Sequence, residues 1–186
     1  MKSLLSSWMR FLHSDEGAVT IEFVIAFPLV MTIFMSSFES SFYMARHVML
    51  ERAVDLVIRD LRLGMLVGVT HTDLKKEICA RSILLAGSPA ECQKGLKIWL
   101  QPVNTATFAM PITPTSCVDR SAPIDPMQAV PATEFALGAG NQIMLVRVCM
   151  KQDPMFLTTP IGAGLVMDDD GGYSLVTASV FVNEPG

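Results

Sequence analysis

Three groups of residues in this chain have the types and spacing to do chemistry. The first is Gly17-Ala18 followed by Glu22. The small Gly17 leaves the next peptide bond open to a hydrolase, and a cut there would free an α-amino group at Ala18. That amine would sit one helical turn from the Glu22 carboxylate, where the two could pair within one chain or between neighbours. A helix N-terminus favours the same anion. The second group is Cys79, Cys92, Cys117 and Cys149. None forms a C-x-x-C pair, which argues against a zinc ribbon or a thioredoxin-like motif, and an even set in an exported domain points to two disulfides. The third group carries less. His13, His47 and His71 are scattered rather than spaced as a metal pair, and solvated or capping roles fit them. Asp168-Asp169-Asp170 suggests calcium, but the sixth and twelfth positions of an EF-hand loop would be Tyr173 and Ser179, so a solvated turn is the better reading. With no nucleophile elbow and no phosphate-binding loop, no enzyme, cofactor or metal is expected.

The element that carries Glu22 is the dominant feature of the chain. From Ala18 to Phe38 Glu22 is the only charge, and a helix over these residues would be ~31 Å long, enough to cross the roughly 30 Å hydrocarbon core of a bilayer. Residues 1–17 are short and carry Lys2 and Arg10, as in the cytoplasmic head of an export signal. An ordinary secretory signal fits poorly. Its small cleavage residues follow the apolar run, whereas Gly17 precedes it, and this run is longer than the usual 7–15 or so residues. A carboxylate at the centre of a span costs on the order of 2.5–3.5 kcal/mol, so Glu22 calls for a position near one end or a partner.

A short basic leader, Gly at the cut, Glu as the fifth mature residue and a long apolar helix together resemble the class III prepilin signal. The run Gly17-Ala18-Val19-Thr20-Ile21-Glu22-Phe23, with Pro28 a few residues on, resembles more narrowly the TadE-like minor pseudopilins of the tight-adherence (Flp-type, type IVb-like) pilus. Major Flp pilins are far shorter and typically have Glu-Tyr where this chain has Glu22-Phe23. The resemblance implies cleavage between Gly17 and Ala18 by a prepilin peptidase, and a single-pass protein in the bacterial inner membrane with its N-terminus cytoplasmic and its head periplasmic. It implies as partners other pilins and pseudopilins and the pilus assembly platform. Counting Lys and Arg does not by itself orient the span, because Arg46 and Arg52 after it balance Lys2 and Arg10 before it. The alternative is an uncleaved, single-span anchor for a periplasmic binding or enzymatic domain.

The remaining sequence supplies the head. Net charge is −4 and no basic run exceeds Lys75-Lys76, so nucleic acid is not an expected partner. Beyond the span, Phe38, Phe42, Ala45, Met49, Ala53 and Leu56 recur at steps of three and four, and this stripe is expected to face a core. Arg46, Glu51, Asp55 and Arg59 are placed on the other sides. Gly64 and Gly68 end a helix of ~70 Å running from Ala18 to about Leu63. A second helix is expected over Asp73–Ala86, capped by Thr72 or Asp73 and closed by Gly87, with a loop at Ser88-Pro89. Leu96–Gln101 alternates like a strand stopped by Pro102. Ile143–Lys151 and Ser174–Asn183 read as further strands, the last entered through the Asp168–Gly172 turn. Between them, 104–142 is rich in proline (Pro111, Pro114, Pro123, Pro126, Pro131) and reads as a long loop. Trp8 suits a membrane interface and Trp99 suits sheet packing.

Four cysteines allow three pairings, and sequence does not choose among them. The helix-turn around Ser88-Pro89 favours Cys79 with Cys92, leaving Cys117 to tie the proline-rich stretch to Cys149. The pieces Arg147-Val148-Cys149, Pro160–Leu165 and Thr177–Pro185 resemble, in order, the head strands of TadE-like proteins. The expected fold is α+β and pilin-like: a long N-terminal transmembrane and amphipathic helix packed on a small, mostly antiparallel β head. Its parts are the leader 1–17, the span 18–38, the amphipathic continuation 39–68 and a disulfide-bonded head 69–186.

Overall fold

The computed structural model describes residues 18–66, 68–82, 85, 87–107, 117–119, 133–165, 167 and 171–184, with side chains from residue 20 onward. The leader with Trp8, His13 and Gly17, the five prolines from Pro111 to Pro131, and Asp168–Asp170 lie outside the described residues. The fold is α+β: one long helix laid across a three-stranded antiparallel sheet, with short helices at the sheet's ends.

Helix α1 runs unbroken over Ala18–Arg62, 45 residues and ~67 Å. Pro28 lies inside it, where its ring removes one backbone donor. The helix stops at Gly64 for a backbone reason. Gly64 has φ +66°, its N–H donates to the Leu61 carbonyl, and the Met65 N–H reaches back to Asp60. This is a Schellman closure with glycine in the left-handed position.

The buried face of α1 is only partly the expected one, sharing Ala53 with it. Leu50, Ala53, Val54, Val57 and Ile58 enter the core, with Tyr43 and Leu61 packed partly against it. Phe38, Ala45 and Leu56 point to the outside instead. Apolar residues lie on more than one side of the helix, with Met44, Val48 and Leu56 exposed, so hydropathy offers two stripes at steps of three and four. The sheet takes the one that also contains Glu39 and Arg46.

Helix α2 spans His71–Ala80, earlier and shorter than Asp73–Ala86. Its cap is Thr70 rather than Thr72 or Asp73. The extended Thr70 accepts the Asp73 N–H, and the Asp73 carboxylate accepts from Thr70 in return, closing a capping box. The helix ends where the Ser82 hydroxyl takes the Ile78 carbonyl at 2.7 Å. Ser88-Pro89 does not open a loop. It opens a short helix α3, Pro89–Gly95, with Ser88 as N-cap and Pro89 in the first turn, where a missing N–H costs nothing.

The sheet order is β1 (Leu96–Pro102), β2 (Ile143–Gln152), β3 (Tyr173–Val182), with β2 central. β1 stops at Pro102 as expected, with the proline itself as its last paired residue, opposite Met144, which its place on an outer strand permits. Ile98 faces Val148 across β1 and β2, and Leu175 faces Met150 across β2 and β3. One sheet face, including Leu96, Ile98, Leu100, Met144, Val148, Met150 and Leu175, is sealed in the core. On the other face Trp99 is also buried, with Lys97 Nζ 4.5 Å above its ring. The described end of the long loop is not free of pairing. Phe135 bridges Leu100 in parallel, so Glu134 and Ala136 bond the outer edge of β1. A short helix α4, Pro160–Gly164, packs against α1 between β2 and β3.

Candidate membrane and assembly site

Ala18 is the first residue of α1, directly after Gly17. Glu22, Phe23 and Pro28 follow in its first turns, and Glu22 and Phe23 are exposed. Phe23 and Phe27 contact each other one turn apart, ring centroids 5.2 Å, as do Phe34 and Phe38 at 4.8 Å. Ile25 is 71% exposed, and Ile21, Val24, Leu29, Val30 and Ile33 are similarly open. A soluble domain does not leave such a length of apolar helix in water. This part of α1 is long and apolar enough to cross a membrane, and none of its most apolar window is buried in the protein. The few hydroxyls in it cost little, because Thr32 and Ser37 donate to the carbonyls of Pro28 and Ile33, at 2.7 and 2.9 Å.

Where the apolar run ends, α1 is fastened to the head by Glu39, which sequence reasoning did not single out, and by Arg46. Glu39 is fully buried. Its two carboxylate oxygens accept the backbone N–H groups of Met155 at 3.2 Å and Phe156 at 2.8 Å. Two turns on, Arg46 donates to the Asp153 carbonyl at 2.9 Å and to the Tyr173 hydroxyl at 2.8 Å. Arg46 was expected on a solvated side; instead it ties the chain between β2 and β3 to the helix. Burial raises the Tyr173 phenol pKa, with the Arg46 bond pulling the other way. The Tyr43 ring lies 5.4 Å from that of Tyr173. The spacing Glu39, Tyr43, Arg46, Leu50 follows steps of four, three and four. That was the available signal, and the hydropathy of the neighbouring stripe outweighed it.

At the far side of the head the structure joins Cys79 with Cys92 and Cys117 with Cys149, with Cα separations of 5.8 and 5.4 Å. The first bridge links α2 to α3 and the second ties residue 117 to the central strand. His71 is half-buried at the start of α2, edge-on to Phe135 at 5.3 Å, rather than solvated. Burial, helped by Lys75, pushes its pKa down to about 4, and its Nε2 has no hydrogen-bond partner among the described residues. Lys75 is likewise lowered by burial and then by Lys97. Arg81 bridges Asp60 of α1 at 2.6 Å and Glu77 at 3.3 Å, locking α2 onto the long helix. Among the described residues, no three His, Cys, Asp or Glu side chains converge as a metal site.

The architecture is therefore a small α+β head carried on one long helix, whose exposed first part is compatible with a single-pass membrane anchor. Residues 17–59 match the protein family described as TadE-like protein, so this stretch of the chain is similar to that family. The match begins at Gly17 and runs almost to the end of α1; the head strands lie beyond it. No curated protein and no solved structure matches the chain.

Proposed function

We propose that this chain is a minor pseudopilin of a tight-adherence pilus system, a structural subunit rather than an enzyme. The observation that carries the reading is the TadE-like match starting at Gly17 and covering the helix whose most apolar part is not buried in the protein. In this reading a prepilin peptidase removes residues 1–17 between Gly17 and Ala18. The span 18–38 holds the protein in the inner membrane, with the disulfide-bonded head in the oxidising periplasm. Glu22 then serves assembly. Near the end of the span it inserts at modest cost, and it offers an anion to the Ala18 amino group of a neighbouring subunit. In a low-dielectric setting that charge-assisted contact is stronger than in water and fixes the axial register between helices. Other pilins, pseudopilins and the assembly platform are the partners.

N-terminal sequencing of the membrane-extracted protein tests the processing step. A mature chain beginning at Ala18, and an intact precursor for Gly17→Lys, are expected. A chain that still begins at Met1 would favour an uncleaved anchor instead. Glu22→Ala is expected to be processed, inserted and disulfide-bonded but to support no pili, with Glu22→Asp intermediate. Normal pilus number with Glu22→Ala would sink the assembly role.

A further inference from the structure

Between β2 and β3 the sequence from Pro154 to Met167 carries no charge, although Asp153 and Asp168 flank it. Its large exposed side chains are apolar: Leu157 is 59% exposed, Met155 48% and Ile161 38%, with the small Thr158 exposed among them. Such a patch on a head domain needs an occupant. Its position says which one. Pro160 and Ile161 border a groove on α1 formed by Thr32, Ile33, Ser36, Ser37 and Ser40. Most of those residues belong to the apolar run that ends at Phe38, so α4 lies alongside the membrane end of the helix rather than beside the sheet. Ile33 is five residues inside that end, a depth of ~7.5 Å. Segments that lie in the boundary between headgroups and acyl chains sit about 5–10 Å deep.

We infer that the loop carrying Met155, Leu157 and Ile161 is a second membrane contact, seated in the outer boundary of the bilayer next to the span. The inference rests on the reading of α1 as a membrane span. Much of the loop's backbone is satisfied within the protein. Pro154 and Pro160 have no N–H, and the N–H groups of Met155, Phe156, Thr159, Gly162, Ala163 and Leu165 have protein acceptors, while those of Leu157, Thr158 and Ile161 have none among the described residues. Unpaired amides are what a lipid environment penalises most. Glu39 supplies two of those acceptors from a fully buried position, so the carboxylate is hidden from lipid while it holds the loop. The small side chains Ser36, Ser37 and Ser40 leave room for Pro160 and Ile161 to lie close to α1. The charged groups begin immediately above, at Asp153 and Arg46. Uncharged below and charged above is the polarity of a bilayer surface.

The test uses the full-length chain in phosphatidylethanolamine–phosphatidylglycerol vesicles, with Trp8 and Trp99 replaced by Phe and a single Trp at Leu157 or at Val30. Lipids brominated near the headgroup or deep in the acyl chain serve as quenchers. Val30→Trp reports the span, and its emission should fall most with the deep quencher. Leu157→Trp should fall most with the shallow quencher, should be shielded from aqueous iodide, and should not change with protein-to-lipid ratio. If Val30→Trp is quenched while Leu157→Trp stays bright in brominated lipid and open to iodide, the loop contact is overturned and the span stands. Emission from Leu157→Trp that is insensitive to lipid but changes with protein density would make the patch a contact between copies, which also overturns the inference. Failure of both reporters to quench would overturn the span reading and the loop contact together.

Discussion

The Glu39 carboxylate and the Phe156 backbone N–H meet at 2.8 Å inside the protein, joining the end of the apolar helix to the loop between β2 and β3. Both oxygens are used, since Met155 occupies the other. A buried carboxylate that satisfies two donors organises the loop far more than it would on the surface.

Replacing Glu39 by Ala should therefore leave two partly buried N–H groups without acceptors. The loss is on the order of 2 kcal/mol in unfolding free energy, since unpaired buried donors carry that scale of penalty. Glu39→Gln keeps one acceptor oxygen and should recover part of it. Urea unfolding in detergent micelles followed by Trp99 emission gives the energies. Amide exchange at Met155 and Phe156 gives the locus, and unchanged protection of both amides in Glu39→Ala would refute the clamp.

The pH dependence of the head should carry a His71 signature. Its pKa is pushed down from 6.5 to about 4 by burial, then by Lys75. The unfolded chain therefore binds more protons than the folded one between those values. Stability falls as pH drops from about 6.5 toward 4, and is unaffected by this group above that window. His71→Gln should flatten the curve across the window. A wild-type curve that rises toward pH 4, or one unchanged by the substitution, would contradict the buried neutral imidazole.

The Cys79–Cys92 bridge closes a short loop, with a sequence separation of 13. In the chain-entropy account such a loop contributes about 3 kcal/mol. Cys79→Ser with Cys92→Ser should lower the unfolding midpoint by a corresponding amount and leave Cys117–Cys149 intact. Non-reducing peptide mapping checks both pairs. Four alkylated thiols in the unreduced wild-type protein would remove the basis for an exported head.

The sequence showed the helix from Ala18, its end near Gly64 and all three strands to within a residue or so. Period and glycine placement are local signals there. It did not show which face of α1 is buried. Two stripes of similar hydropathy compete, and the winning one contains Glu39 and Arg46, whose partners are over a hundred residues away. Polar residues that find distant partners look like solvent-facing ones until the sheet is in place. The same limit hid Thr70 as a cap, since Thr72 and Asp73 are equally good caps by type and only the backbone decides. Ser88-Pro89 was ambiguous for a related reason, because a serine before a proline both breaks chains and starts helices. The pairing of Phe135 with Leu100 left no trace in a stretch dominated by prolines.

The absence of a break in α1 between its exposed part and its core-packed part gives the span and the head a fixed angular phase. Each residue inserted after Val30 turns everything below it by about 100° relative to the head and shifts it by about 1.5 Å. Insertions of one, two, three and four alanines displace Glu22 from its original azimuth by about 100°, 160°, 60° and 40°, respectively, counting the shorter way round. If neighbouring subunits read head and span together, pilus formation should be poorest with two residues and best with four. Recovery would then follow the angle and not the added length. A steady decline from one residue to four would mean that the head is free to turn, and that the rod transmits depth alone.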